Sequence, residues 1–311
     1  MRTMLERIFD FLGWRNNQRD SFYDLVNVLK SLFSGKIPFT RIFAALFAAI
    51  QLFGSAMFKM PVKPYGEELN LDGYELVVDE NFDGDSLNTD LWYYRGLGAR
   101  RDGIHSSSQV KVENGNMVIT AEYLDEEKGE FGEGWYSAAV ALNEWYCKGY
   151  FEIRCICNPG EGFWSAFWLQ SEHSYDLQSD GGRGGAEIDI FEAMDYTSPL
   201  PRYHNSVGQT VYVNGWDDDD ENYEKTSRLA TGNDIYNQYN TYGLMWTDEE
   251  YIFFVNGKET FRTSFGKGTS QVPENLIVSL EIPSEIPESI RQNKDYKTQM
   301  IVDYVKVYQL A

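Results

Sequence analysis

The sequence predicts an all-β protein, a two-sheet sandwich preceded by a short N-terminal helical leader. Three observations lead there. From Tyr74 onward, short runs of alternating apolar and polar residues are broken by turn clusters such as Asp83-Gly84-Asp85, Glu113-Asn114-Gly115-Asn116 and Asn158-Pro159-Gly160. Helical periodicity is almost absent from this stretch, and many short strands without helices pack as two stacked sheets. Asn256-Gly257 between two apolar runs is a strong tight-hairpin signal, because both turn positions need positive φ.

The leader comes first. Met1, Met4, Leu5, Ile8 and Leu12 recur at helical spacing, and Phe22, Leu25, Leu29 and Leu32 form a second stripe behind the capping start Ser21-Phe22-Tyr23-Asp24. Residues 42–58 then run for 17 positions without a charge, between Arg41 and Lys59. Three readings stand. The run is at the short limit for a membrane span. It also suits the hydrophobic region of an export signal, with Gly54-Ser55-Ala56 as a cleavage-like site. Gln51 favours a third reading, a soluble helical appendage. If the run crosses a membrane, the basic residues before it place the N-terminus in the cytoplasm and the body outside. Pro61 and Pro64 punctuate a linker, so the chain divides into a leader, 1–64, and a body, 65–311.

Charge separates the two parts. The chain carries a formal net charge of −21. Residues 1–64 hold nine basic and four acidic side chains, which leaves 18 basic and 44 acidic for the body. So acidic a body repels nucleic acid and anionic polymers at long range, and no nucleic-acid partner is expected. A neutral polymer meets no such barrier. The basic leader suits a membrane surface. Three cysteines make no disulfide framework. Cys155 and Cys157 share a strand face with Phe151 and Ile153, which suits buried thiols, while a bridge from Cys147 to one of them stays open.

Residues 185–194, Gly-Ala-Glu-Ile-Asp-Ile-Phe-Glu-Ala-Met, set three carboxylates in an apolar run. Ionised side chains are rarely buried without a use or a partner. In a strand Glu187 and Asp189 share one face, but strict alternation would give that face Phe191 instead of Glu192. One extra residue at Ile190 or Phe191, a β-bulge, turns Glu192 towards its companions. The outer α-carbons are then roughly 13 Å apart, so the outer pair must lean inwards over a concave sheet. Two carboxyls about 5 Å apart suit retaining glycoside hydrolysis. An acid between them serves as hydrogen-bond partner to one and as a charge raising the proton affinity of the other. No histidine stands nearby and no zinc motif occurs, so a catalytic metal or other catalytic cofactor is not expected.

Two further stretches carry readable patterns. In residues 163–170, Trp164, Ala166, Trp168 and Gln170 face one way, and Phe163, Ser165, Phe167 and Leu169 the other. Tryptophans at i and i+4 with a small residue between them make a platform suited to sugar faces. Asp217 to Glu221 is an acidic cluster without EF-hand spacing and reads as a solvated loop. His105 and His173 fall in polar loops and read as incidental surface residues. The aromatic runs around residues 242–255 read as core, and residues 275–281 as an inner strand. Ile282-Pro283-Ser284-Glu285 begins an insertion to which the pattern assigns no role.

Glu-Ile-Asp-Ile-Phe-Glu resembles the bulged E-x-D-x-x-E signature of glycoside hydrolase family 16. The similarity continues through Asp79-Glu80-Asn81-Phe82 with Ser86 to Trp92, Val112 to Ile119, Gly162 to Leu169, and Val302 to Tyr308, and so covers about residues 70–310. It implies a β-jelly roll with a concave substrate cleft. It assigns Glu187 as nucleophile, Asp189 as its helper and Glu192 as acid/base, with Trp164, Trp168 and His204 contacting substrate. It also implies a structural calcium on the convex face, held by Glu80, the Gly115 carbonyl and Asp303. The expected activity is endo-acting retaining hydrolysis of a neutral polysaccharide by a monomer outside the cell or at its surface. A β-1,3- or β-1,3/1,4-glucan is the first expectation, because the bulged motif resembles laminarinases. An agarose-type galactan is the enzymatic alternative and a non-catalytic carbohydrate-binding jelly roll the other. The family's Asn-Asn-Glu segment is replaced here by His105-Ser106-Ser107-Ser108-Gln109, which bears on the outer subsites.

Overall fold

The computed structural model describes residues 66–174, 182–194, 196–197, 204–213, 223–231, 233–264 and 268–311. The helical leader, the uncharged run 42–58 and the acidic cluster 217–221 lie outside the described residues. Among the described residues no helix is long and apolar enough to cross a membrane.

The body is built of strands: β1 (Tyr74–Glu80), β2 (Trp92–Tyr94), β3 (Gly98–Arg100), β4 (Gly103–His105), β5 (Val110–Glu113) and β6 (Asn116–Leu124). There follow β7 (Gly134–Ser137), β8 (Ala139–Tyr146), β9 (Gly149–Ile156), β10 (Trp164–Gln170), β11 (Glu187–Glu192) and β12 (Ser206–Val213). The last six are β13 (Tyr223–Ala230), β14 (Asn240–Trp246), β15 (Tyr251–Val255), β16 (Lys258–Thr263), β17 (Glu274–Glu281) and β18 (Lys297–Leu310). One sheet runs β16-β15-β14-β9-β18-β6-β7-β4-β3, with β1 on β18 and β5 on β6. The other runs β13-β12-β11-β10-β17-β8-β2. Neighbours in sequence are often distant in the sheets, as sandwich crossovers require.

Turn chemistry behaves as the dipeptides predict. Asn256 and Gly257 both take positive φ (51° and 73°) between β15 and β16, and Asn114 and Gly115 do the same (54° and 70°) between β5 and β6. The core fills the space between the sheets. Phe167, Leu169, Ile188, Leu276, Val278 and Leu280 come from one sheet and Phe151, Ile153, Cys155, Tyr242, Leu244 and Val305 from the other. Cys155 and Cys157 are buried, as their strand face predicts, and Cys147 stays a half-buried free thiol with no bridge to either.

The outer face of the smaller sheet carries a separate apolar patch of Ala139, Ala141, Ala166, Trp168 and Ile277, with Trp164 packed beside it. This division confirms the alternation read in residues 163–170.

The bulge lies where the acidic strand needs it. Against β10, Phe191 pairs with Phe167 and Asp189 with Trp168, so Ile190 is the residue left out. Against β12, Asp189 pairs with Thr210 and Glu192 with Gly208. Ile190 and Phe191 are thereby both buried in the core, and Phe191 stacks on Tyr242 of the opposite sheet with ring centroids 4.0 Å apart. Replacing Phe191 by Ala is expected to cost about 3–5 kcal/mol of unfolding free energy in urea denaturation; a loss below about 1 kcal/mol would show that this contact does not hold the kink.

Candidate active site

The strand registers lay out the floor of the cleft row by row. One row is Tyr212, Glu187, Gln170 and Asn275 across β12, β11, β10 and β17. The next is Thr210, Asp189, Trp168 and Ile277, and the third Gly208, Glu192, Ala166 and Ser279. The three acids therefore occupy consecutive rows on one face. The cavity above them, about 220 Å³, is walled by Arg100, Arg101, Met194, Tyr212 and Glu281. The entry to β11 is tight: Gly185 has φ +140°, and a Cβ there would fall 2.0 Å from Ser171 Oγ. Buried Glu274 accepts a hydrogen bond from Ala186 N at 3.0 Å, fixing the residue before Glu187. Its carboxyl is pushed up to about 8, chiefly by burial.

The acids sit in unequal surroundings. Gln170 Nε2 donates to Glu187 Oε2 at 2.7 Å, and the Arg95 guanidinium donates to Gln170 Oε1 at 2.5 Å. Trp164 Nε1 donates to Glu192 Oε1 at 2.9 Å. Burial pushes the Glu192 carboxyl up to about 7; the Trp164 bond and Arg101 oppose the shift, while Glu187 and Glu281 add to it. Asp189 is raised well above the usual carboxylate range, again by burial first and then by Glu192, Glu187 and Glu281. The neighbouring carboxylates that raise Glu192 are Glu187 and Glu281.

Glu281 is a fourth carboxylate in the cleft, which the sequence pattern did not single out. Burial would raise its proton affinity, but Arg100 and Arg101 outweigh burial and hold it below the usual range. Their guanidinium nitrogens lie 2.9 and 3.5 Å from Glu281 Oε2. The 282–291 insertion holds this arginine turn in place: Asp102 accepts from Ile286 N at 2.7 Å and pairs with Arg291. His105, expected at the surface, is buried beside the cluster. Burial depresses its imidazole to about 4, with Arg100 acting the same way against Glu281. It is neutral at neutral pH.

The tryptophan pair faces the cleft but is not a bare platform. Trp168 is 6% exposed, donates from Nε1 to Ser279 Oγ at 3.1 Å, and carries the Arg95 guanidinium over its ring at 4.9 Å. Arg101 lies 5.0 Å from the Trp164 ring centre. These guanidiniums occupy ring faces that sugar stacking would use. His204, expected to contact substrate, is half-buried just before β12. Its ring clusters with those of Tyr196 and Tyr236, and Nδ1 is 2.7 Å from Tyr196 O. His173 is exposed, as expected.

The residues implied for calcium have partners of their own. Glu80 accepts from Phe82 N at 2.8 Å and Trp92 Nε1 at 3.3 Å, Asp303 pairs with Arg154, and Gly115 forms the β5–β6 turn. Asp303 would have to exchange Arg154 for an ion to serve as a ligand.

Comparisons with known proteins follow the same outline. A family model described as "Beta-porphyranase A-D, GH16 domain" matches residues 75–310. The endo-1,3-1,4-β-glycanase ExsH of Rhizobium meliloti is 26% identical over 215 residues, 66% of this chain and 40% of that protein. β-Porphyranase E of Zobellia galactanivorans is 26% identical over 267 residues, 77% of this chain and 90% of that protein. The chain spans only 37–40% of the length of several such relatives. The crystal structure of SCLam, a non-specific endo-β-1,3(4)-glucanase, aligns with a TM-score of 0.63 at 20% identity, over 82% of this chain and 99% of SCLam, and shares the fold. With a matched model running almost the whole length of the body, over the strands that carry the bulged acidic motif, the chain belongs to glycoside hydrolase family 16.

Proposed function

We propose that the domain is an endo-acting, retaining glycoside hydrolase of a neutral β-glucan with β-1,3 or mixed β-1,3/1,4 linkages. The observation that carries this reading is the pair Glu187 and Glu192 on one floor in opposite electrostatic settings. The amide of Gln170, itself held by Arg95, favours ionised Glu187. Buried Glu192 keeps its proton up to about 7. Glu187 attacks the anomeric carbon as the bond to the leaving sugar oxygen breaks, and Glu192 gives that oxygen its proton. The resulting glycosyl ester is resolved by water, which loses a proton to Glu192 as its oxygen attacks the anomeric carbon and Glu187 departs as carboxylate. Asp189, buried between them with its proton affinity raised, is the helper beside the nucleophile. Trp164 and Trp168 act through Glu192 and the cleft floor. The body's negative charge suits a neutral polymer, and the names of ExsH and SCLam support the glucan.

An agarose- or porphyran-type galactan is the second reading. The guanidiniums of Arg95, Arg100 and Arg101 along one side of the cleft favour it, as do the porphyranase-type family model and β-porphyranase E. A non-catalytic sugar-binding role would leave the retained acid trio unexplained.

Reducing-end release from laminarin, mixed-linkage glucan, agarose and porphyran separates these readings. Glu187→Gln is expected to remove nearly all hydrolysis, and Glu192→Gln to lower it about 10²–10⁴-fold; wild-type rates in either variant would refute the assignment. Because Glu192 must carry its proton to act as acid, kcat/KM should fall as pH rises above about 7. Trp164→Phe removes a bond favouring the carboxylate, so its alkaline limb should move to higher pH; an unmoved limb contradicts that coupling.

Two properties outside the cleft are proposed on narrower grounds. A structural calcium at Glu80, Gly115 and Asp303 rests on the resemblance, and a melting temperature indifferent to a strong chelator excludes it. Residues 42–58 are proposed to anchor an external catalytic body to a membrane. Full-length protein recovered entirely in the soluble fraction, without detergent, excludes the anchor.

A further inference from the structure

We propose that Tyr93 and Trp145 form a distal stacking subsite that grips a glycan chain several sugars away from the bond being cut. This rests on the glycan-hydrolase reading and extends its cleft. The row that contains Glu187 and Gln170 continues to Asn275 on β17 and then to Trp145 on β8. Directly paired residues of an antiparallel sheet share a face. Trp145 therefore lies on the face of the acids, three strand spacings from Glu187, about 14 Å. The neighbouring row ends in Ala141 on β8 and Tyr93 on β2.

Flanking residues support this orientation. Trp92 and Tyr146 are in the core beneath the sheet, while Tyr93 and Trp145 are 37% and 43% exposed. Between Ala141 and Trp145 β8 advances four residues while β17 advances two, and this irregularity leaves Asn143, Glu144 and Trp145 all exposed at the rim. Tyr93 is not loose. Its hydroxyl donates to Asn275 Oδ1 at 2.7 Å, and Asn275 Nδ2 donates to Leu142 O at 2.7 Å. The phenol is thereby pinned at its polar end with its ring open to solvent.

The contrast with the inner tryptophans decides the assignment. Trp164 and Trp168 carry guanidiniums over their rings, whereas no cation is recorded over Tyr93 or Trp145 among the described residues. Exposed aromatics continuous with an acidic cleft suit the apolar faces of pyranose rings, with Asn143 and Glu144 beside them for hydroxyl groups. The occupant is the distal part of the same neutral polysaccharide that passes over the acids.

The test is affinity electrophoresis in native gels containing laminarin, mixed-linkage glucan, agarose or porphyran, with Glu187→Gln as the parent so that the polymer stays intact. Adding Trp145→Ala should weaken retardation about 2- to 10-fold, the scale of one aromatic contact. Trp145→Phe should restore most of it, and Leu310→Ala, an exposed apolar residue on the other sheet, should match the parent. Equal retardation of the Trp145→Ala variant and its parent overturns the subsite, as does a parent that no gel retards. A change in sedimentation with unchanged retardation also overturns it, assigning the patch to contact between copies of the chain. Hydrolysis by the wild type is scored separately, so failure of the enzymatic reading is distinguishable from failure of the subsite.

Discussion

The stacking of Phe191 on Tyr242 across the two sheets is the contact on which the site depends. A regular strand would send Phe191 into the cleft and Glu192 into the core. Skipping Ile190 forfeits a ladder hydrogen bond, worth about 0.5–1.5 kcal/mol net. Burying the Phe191 ring gains about 1.5–3 kcal/mol, and its stacking adds about 0.5–1.5 kcal/mol. The kink therefore wins on packing alone, and the energy that holds Glu192 over the cleft comes from the apolar side of the sheet. A buried carboxyl is costly to ionise there, which is the condition a general acid needs near neutral pH.

Around that strand the charges are arranged as a clasp. Arg100 and Arg101 neutralise Glu281, and Arg95 holds Gln170 against Glu187. Each arginine also settles an aromatic or a carboxylate that would otherwise be left bare in a closed site. A neutral glycan entering the cleft meets carboxyls of different proton affinity, because Glu192 and Asp189 are buried beside other carboxylates while Glu281 is buried beside arginines.

Local periodicity made much of this legible before any coordinates. The alternation in residues 163–170 sorted core from cleft, and the phase error in residues 187–192 called for the bulge that the registers show at Ile190. Asn-Gly pairs marked both tight turns. Interactions between distant parts of the chain were not legible. Arg100 meets Glu281 across 181 residues, and nothing in either neighbourhood announces the other. His105 is buried beside that pair, so the surface histidine was misread, and the guanidiniums of Arg95 and Arg101 over Trp168 and Trp164 were equally hidden from the local pattern. The adjacent arginines in so acidic a body were the one available signal. His204 was assigned by resemblance, and its ring contacts with Tyr196 and Tyr236 were not legible in the local pattern.

The most direct measurement is a high-resolution crystal structure of the Glu187→Gln variant with an oligosaccharide spanning the cleft. The account predicts Glu192 within about 2.6–3.2 Å of the glycosidic oxygen, residue 187 beneath the anomeric carbon, and Ile190 still unpaired in the strand. A strand without the kink, or Glu192 turned away from the sugar while the chain lies over the acidic floor, would contradict it.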